Sequence, residues 1–531
     1  MTWPTTIRPY INQAYLLGLL MVAVGLTLSP FLMGMSQFWL VGVWLIDGLC
    51  TKSIKDKLNR FYHNKAAVLL VAFYLMHVVG LLWTSDFEYA MKDLRVKLPI
   101  LVMPFLLSSM VPLDRKRFDI VMLVYVLSVF IATLFSSVSY WRHDYEDIRE
   151  ISHFISHIRF CLNIVFCIAI VGYYLVTHES PWWTKCVQAL LMLWFVYQIY
   201  IFESLSGYVI LAAVVIISAV YAFLRWKKSR GWHIAVGVAA LAVLLIGIVV
   251  LVHQIRPLLK VETVDFSSLE KKTALGNDYW HDTIHNPVED GRYIGLYYCR
   301  KELQETWSQR SALPLTDTVE ATLARYLTSK DLRKDAQGVM ALTDEDIRNI
   351  EQGIANYNNW KHPGLRARLS ATLFEYNLYR RYNNPNGGSL SQRIEYTRAS
   401  FHIIGQHPWF GVGTGDVPQA FSQAYDELRS PLKEEFRFRA HNQYLAIAVA
   451  FGLVGLVFFL FVLLYPWGAS RRNHTYLYMV FLTIMLLSMF PEDTLETQAG
   501  ATLFAFFMSL LLMAGKNSLS LRVVRKANGN T

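Results

Sequence analysis

The sequence predicts an all-α integral membrane protein of about twelve transmembrane helices with one large helical loop. Three observations carry that prediction. Of 531 residues, 54% are hydrophobic. The apolar residues fall in runs of about 15–25, the length that crosses a hydrocarbon core near 30 Å. The runs are continuous rather than alternating, and in lipid only helices or closed barrels satisfy the backbone, so helices are expected.

Taken in order, the expected spans are Tyr15–Leu32, Phe38–Cys50, Ala66–Trp83, Leu98–Met110, Phe118–Tyr140, Phe154–Val176, Val187–Phe202, Gly207–Leu224, Ile234–Val252, Gln443–Tyr465, Tyr476–Met489 and Ala501–Ala514. The second and fourth are short, as tilted or re-entrant segments would be. The start of the chain has no cleavable signal pattern, so its first apolar run is read as a retained helix.

Orientation follows from Lys and Arg in the short loops. Basic clusters occur at Lys52, Lys55, Lys57 and Arg60, at Arg115, Lys116 and Arg117, and at Arg225, Lys227, Lys228 and Arg230. They recur at Arg471 and Arg472 and at Arg522, Arg525 and Lys526. With twelve spans all of these fall on the cytoplasmic side, with both termini, while Asp144–Glu150 and Pro491–Glu496 put acids on the other. The net charge of +10 is therefore assigned to loops at the membrane, not to a nucleic-acid footprint. Five scattered cysteines give neither a disulfide framework nor zinc spacing.

Three domains follow: 1–252 with about nine helices, 253–440 as the loop, and 441–531 with about three helices and a basic cytoplasmic tail. The loop lies outside the cytoplasm by this topology. Its centre reads helical over Thr316–Tyr326, Thr343–Tyr357 and Leu365–Tyr382, from apolar residues at i, i+3 and i+4. Thr343 before Glu345 and Asp346 looks like a helix start. Asn383–Gly388 is a loop signal.

The most specific stretch runs from Arg398 to Gly455. It contains Arg398, then His407-Pro408-Trp-Phe-Gly411-Val-Gly413-Thr-Gly415, then Arg437-Phe-Arg439-Ala-His441-Asn442-Gln-Tyr444-Leu445 at the start of an apolar run. The glycine turn can present backbone N–H groups to a phosphate, or it can be a structural elbow. His441 is either an interfacial or core histidine, or a general base for an alcohol nucleophile. Arg437 and Arg439 point the same way if extended. Arg159 sits in an apolar span, where an arginine is expensive.

This pairing of motifs resembles the bacterial O-antigen ligase and O-antigen polymerase superfamily. The resemblance implies a fold similar to the type C multi-helix glycosyltransferases, a large periplasmic loop and an inner-membrane location with the active site facing the periplasm. It implies a donor glycan on undecaprenyl diphosphate and an acceptor sugar hydroxyl of lipid A–core, joined with inversion and without metal or cofactor. His441 would be the catalytic base. Arg159, Arg398, Arg437, Arg439, Asn442, Gly411 and Gly413 would bind substrate, with guanidinium groups suited to an anionic leaving group. One departure is Leu205, which stands where many relatives carry an arginine after a serine.

Other readings remain open at this point. A polysaccharide polymerase or a protein O-glycosyltransferase needs the same leaving-group chemistry. A twelve-span polysaccharide transporter fits the helix count, but a loop of roughly 190 residues and no two-fold repeat fit it less well. A membrane scaffold is a further class. Glu492 and Asp493 are either solvated loop acids or partners of His441 or of an arginine. His281 and His285 have an i, i+4 spacing that lacks a third metal ligand.

Overall fold

The computed structural model describes residues 8–142, 148–225, 252–386, 388–469 and 475–514, with scattered positions between 238 and 249. Contacts divide the chain into two compact units, one of residues 1–237, 396–428 and 437–531, the other of 238–395 and 429–436.

The regular secondary structure among the first unit's described residues is helical. It opens with α1 (Arg8–Leu28), α2 (Pro30–Cys50), α3 (Ile54–His63), α4 (Lys65–Val79), α5 (Phe87–Ser109) and α6 (Arg115–Arg142). It continues with α7 (His157–Thr177), α8 (Trp182–Ile201) and α9 (Leu205–Arg225). Among the described residues eight helices are long and apolar enough to cross a membrane, and two shorter apolar helices, Tyr476–Ser488 and Gln498–Met513, accompany them. A multi-pass α-helical membrane protein is therefore what the fold gives.

The expected fourth span, Leu98–Met110, is the second half of α5, whose first half carries Glu88, Lys92, Asp93, Arg95 and Lys97. That charge is why α5 does not qualify along its length. The expected ninth span, Ile234–Val252, lies mostly outside the described residues, as do Lys227, Lys228 and Arg230, Arg471 and Arg472, and Arg522, Arg525 and Lys526. The early basic cluster is partly structural. Lys57 is buried, 2.6 Å from Asp47 on α2, and donates to the Trp44 carbonyl at 2.8 Å. It is not a solvated topological charge.

The second unit holds a two-stranded antiparallel hairpin, β1 (Val288–Glu289) and β2 (Arg292–Tyr293). Short helices follow: α10 (Arg300–Arg310), α11 (Asp317–Ser329), α12 (Ala336–Met340), α13 (Asp344–Glu351), α14 (Tyr357–Lys361) and α15 (Leu365–Tyr382). Their apolar faces meet in a core of Leu303, Trp307, Leu323, Tyr326, Leu327, Val339, Leu342, Ile347 and Ile350. Thr343 caps α13 in a reciprocal pair with Asp346, the start signal expected there. The helix expected over Thr343–Tyr357 stops early, because Gly353 turns the chain at φ 82°.

The remaining helices are α16 (Ser389–Gln406), α17 (Val417–Glu427), α18 (Gln443–Ala469), α19 (Tyr476–Ser488) and α20 (Gln498–Ser509). Residues 396–428, read from sequence as part of the loop, pack within the first unit. The reason is visible in backbone bonds. Val412 and Gly413 donate to the carbonyls of Val449 and Ala450 at 3.0 and 2.9 Å, and Leu453 donates to Pro408 at 2.8 Å. Gly452, at φ 65° and ψ −167°, breaks α18 there. A Cβ on Gly452 would lie 2.3 Å from the Trp409 carbonyl carbon, and one on Gly411 would lie 2.4 Å from that of Ala450. Asp416 fastens the far end of the turn by accepting from the Ser85 and Asp86 amides at 2.9 and 2.8 Å.

Candidate functional site

The site forms where α18 begins and where the acidic turn between α19 and α20 meets α5. Asn442 caps α18, its Oδ1 accepting from the Leu445 amide at 3.0 Å. His441 just precedes the cap in a left-handed conformation, φ 45°, which is uncommon for a residue with a Cβ and marks a position held by its surroundings. Tyr396 lies against its ring at a centroid distance of 5.4 Å.

The acidic turn supplies the partner. Asp493 is buried, with Oδ1 3.8 Å from His441 Nδ1. That nitrogen is itself buried and has no hydrogen-bond partner, although the side chain as a whole is 34% exposed. The accessible area therefore lies on the rest of the ring, where Nε2 is the remaining nitrogen. The gap to Asp493 is too long for a hydrogen bond, and contacts of this kind commonly tighten only when substrate is bound.

Cations flank the same acids. Arg439 lies 3.4 Å from Asp493 Oδ2 and 3.2 Å from Glu496 Oε2, and donates to the Tyr89 hydroxyl at 3.0 Å. Burial works against its charge, but Glu496 and Asp493 outweigh that and raise its pKa further. Lys97 on α5 reaches Glu496 Oε2 at 2.7 Å and Asp93 Oδ1 at 2.5 Å. Gln443 completes the cradle, donating to Glu496 Oε1 at 3.0 Å and accepting from the Leu495 amide at 2.6 Å. Burial alone would raise the Glu496 carboxyl; Lys97 and Arg439 override it and hold the group well below the usual carboxylate range.

Arg159, read from sequence as lying within the sixth apolar span, stands in the first turn of α7. Its Nη2 is 3.9 Å from Glu492 Oε2 and its Nη1 donates to Ser156 at 3.1 Å. Its buried Nε has no partner. Glu492 thereby links Arg159 to the His441 side of the site.

The other expected residues lie differently. Arg437 pairs with Asp426 at 2.7 Å, so it and Arg439 reach separate partners. Arg398 is exposed on α16. The N–H groups of Gly411 and Gly413 are donated to His407 and Ala450, so the turn works as a joint against α18 and offers no anion nest through those two amides. Leu205 opens α9 beside Ser204, whose Oγ accepts from the Gly207 amide at 3.1 Å. Ring nitrogens of His281 are taken by the Tyr297 amide and the Glu270 carbonyl, leaving the His281–His285 spacing without a free pair of ligands.

His441, Glu492 and Asp493 bring three metal-capable atoms within 4.8 Å of one another. Arg159 and Arg439 already stand within 4 Å of those two carboxylates, so a divalent cation would compete with two guanidinium groups. Lys97, Glu496 and Gln443 were missed by sequence reasoning. The available signal was Lys97 itself, a charge abutting an apolar run.

The fold and this site define a multi-pass membrane protein with a histidine, carboxylate and arginine cluster at the end of a helix. Residues 365–460, which include His441, match the family model described as O-Antigen ligase. That segment is similar to the O-antigen ligase family, in line with the resemblance of its motifs. The family points to a glycosyltransferase-like enzyme of ligase or polymerase kind that handles lipid-linked glycans. No curated protein matches the chain.

Proposed function

We propose that the chain transfers a glycan from undecaprenyl diphosphate to a sugar hydroxyl of lipid A–core at the periplasmic face of the inner membrane, with inversion at the anomeric carbon. The observation that carries this reading is His441, whose buried Nδ1 faces Asp493 while two arginines stand on the adjoining acids.

Asp493 orients the ring with its proton on Nδ1, which leaves Nε2 as the base. Nε2 takes the acceptor hydroxyl proton, and the oxygen attacks the anomeric carbon. The bond from that carbon to the diphosphate oxygen breaks, and the diphosphate departs with the electron pair. Arg159, whose Nε has a spare donor, and Arg439 supply fixed positive charge for that leaving group. Guanidinium groups thus fill the part a metal ion plays in other transferases, and transfer proceeds without added divalent cation. Arg398, on α16, lies in the same motif segment. Asn442 serves through its cap, and Gly411 and Gly413 through the joint that fixes the start of α18.

Glycan profiling in a deletion strain complemented with wild type, His441→Ala or Arg159→Ala tests this, with protein level checked in each. Expected for His441→Ala is normal protein, loss of long glycan from lipid A–core and accumulation of polymer on the carrier lipid. Attachment of single repeats only would make the enzyme a polymerase. Full complementation by His441→Ala would remove the mechanism, and loss of transfer in EDTA would restore a metal to it.

A further inference from the structure

The second unit contains a cavity of about 900 Å³, toward the upper end of the roughly 300–1,000 Å³ typical of ligand sites. It lies largely ahead of the segment matched by the O-antigen ligase family, and no step proposed above uses it. Its floor is apolar: Ile294, Ala324 and Phe374 form a small buried cluster there, with Tyr298 and Leu378 packed on it. Trp280 lines the cavity and remains 59% exposed.

That exposure is built in by the backbone. Trp280 and Tyr298 exchange N–H···O bonds of 2.8 and 3.0 Å, and their rings meet edge-on at 6.0 Å. A tryptophan held this way presents a fixed apolar face with one donor at its edge. The exposed part of the ring lies at the cavity, where a ligand can reach it.

The rim fixes what kind of ligand. Three acids (Asp278, Asp282 and Glu320) and three bases (Arg300, Lys301 and Arg325) are among the lining residues. The cations are largely committed: Arg300 lies 2.9 Å from Glu320, and Arg325 lies 2.7 Å from Glu289 with its guanidinium 4.3 Å from the Phe374 ring centre. A balanced rim of donors and acceptors disfavours an anion such as a free phosphate. A polar rim over an apolar floor disfavours a purely aliphatic chain, which would desolvate the rim groups without hydrogen-bonding to them. A pyranose has apolar C–H faces and hydroxyl edges, and satisfies both.

We propose that this cavity is an oligosaccharide-binding cleft in which Trp280 stacks on a sugar ring and holds a glycan segment of the donor or the acceptor. This rests on the glycan-transfer reading for its choice of sugar, but its binding test does not.

The full-length protein in detergent is titrated with delipidated core oligosaccharide and, separately, with delipidated polymer, and binding is followed by isothermal titration calorimetry. Parallel titrations use inorganic phosphate and decanol. The variants are Trp280→Ala, Trp280→Phe, Ala321→Trp (Ala321 is an exposed cavity residue) and His441→Ala. Expected is saturable binding of one oligosaccharide to wild type and His441→Ala alike. Trp280→Ala and Ala321→Trp should lose it at least tenfold, with Trp280→Phe retaining most. The transfer KM should rise at least tenfold in Trp280→Ala while kcat stays within twofold. Core or polymer as the bound species identifies acceptor or donor. Oligosaccharide affinity unchanged in both Trp280→Ala and Ala321→Trp overturns the proposal, as does binding of phosphate or decanol in place of sugar. Sugar binding lost on Trp280→Ala in a protein that transfers nothing would keep the cleft and remove the transferase reading.

Discussion

Asp493 stands between His441 and Arg439, with one carboxylate oxygen 3.8 Å from the imidazole Nδ1 and the other 3.4 Å from the guanidinium. One buried acid thus addresses both the proposed base and a neighbouring cation. Asp493→Asn keeps the shape and removes the charge. Transfer should fall by about 10²-fold or more, in the range that a misoriented general base costs, with protein level unchanged. Initial rates across pH 5–9 with a lipid-linked donor check it, and a wild-type rate would mean that Asp493 does not orient His441.

Glu496 joins Lys97 and Arg439, at 2.7 and 3.2 Å, in a buried cluster. Removing one partner of such a cluster leaves uncompensated charge, at a cost of about 3–5 kcal/mol. Glu496→Gln should therefore lower the melting temperature clearly. Lys97→Met in the same chain should recover part of the loss, because one cation then leaves with the anion. A double-mutant cycle in detergent measures the coupling, and additive effects would deny it.

Gly452 faces the Trp409 backbone where α18 breaks. Gly452→Ala would place a Cβ 2.3 Å from the Trp409 carbonyl carbon at a positive φ. Strain alone costs about 1–3 kcal/mol, and the clash adds to it. Loss of folded protein, read by fluorescence-detected size exclusion, is expected. Ala at Gly468, where a Cβ meets nothing within 4 Å, is the control.

Lys334 in the second unit is buried, and burial pushes its pKa down to about 8, with Glu262 and Asp331 opposing. Because the folded value lies below the ordinary 10.5, the unfolded chain binds more protons between those pH values. Stability should rise with pH across that window, and the burial penalty should be fully present below it. Lys334→Met should therefore stabilise the protein at pH 7 and lose most of that advantage by pH 10.5. Paired melts of variant and wild type at both pH values test the sign.

Several parts of this arrangement were legible from residue order because they are local. Apolar runs long enough for a bilayer gave the helices, and Thr343 with Asp346 gave a cap within four residues. His441-Asn442 at the head of an apolar run gave the centre of the candidate site. Arg159 was legible as a costly residue but not as a helix-end one, because apolar flanks do not reveal the first helical turn. The glycine turn read equally well as nest or elbow, since a positive φ suits both. The backbone of α18 taking up its amides made it an elbow.

The sequence by itself determined the class of protein, the motif segment and the candidate base, because hydropathy and short-range spacing are written in consecutive residues. Only the tertiary structure decided which charges meet. Lys97 and Glu496 are 399 positions apart, and Asp416 holds the Ser85 amide, just ahead of α5, across 331. No periodicity connects such residues. They come together because α5 packs against α4 and α20, and because a buried charge is retained only where an opposite charge compensates it.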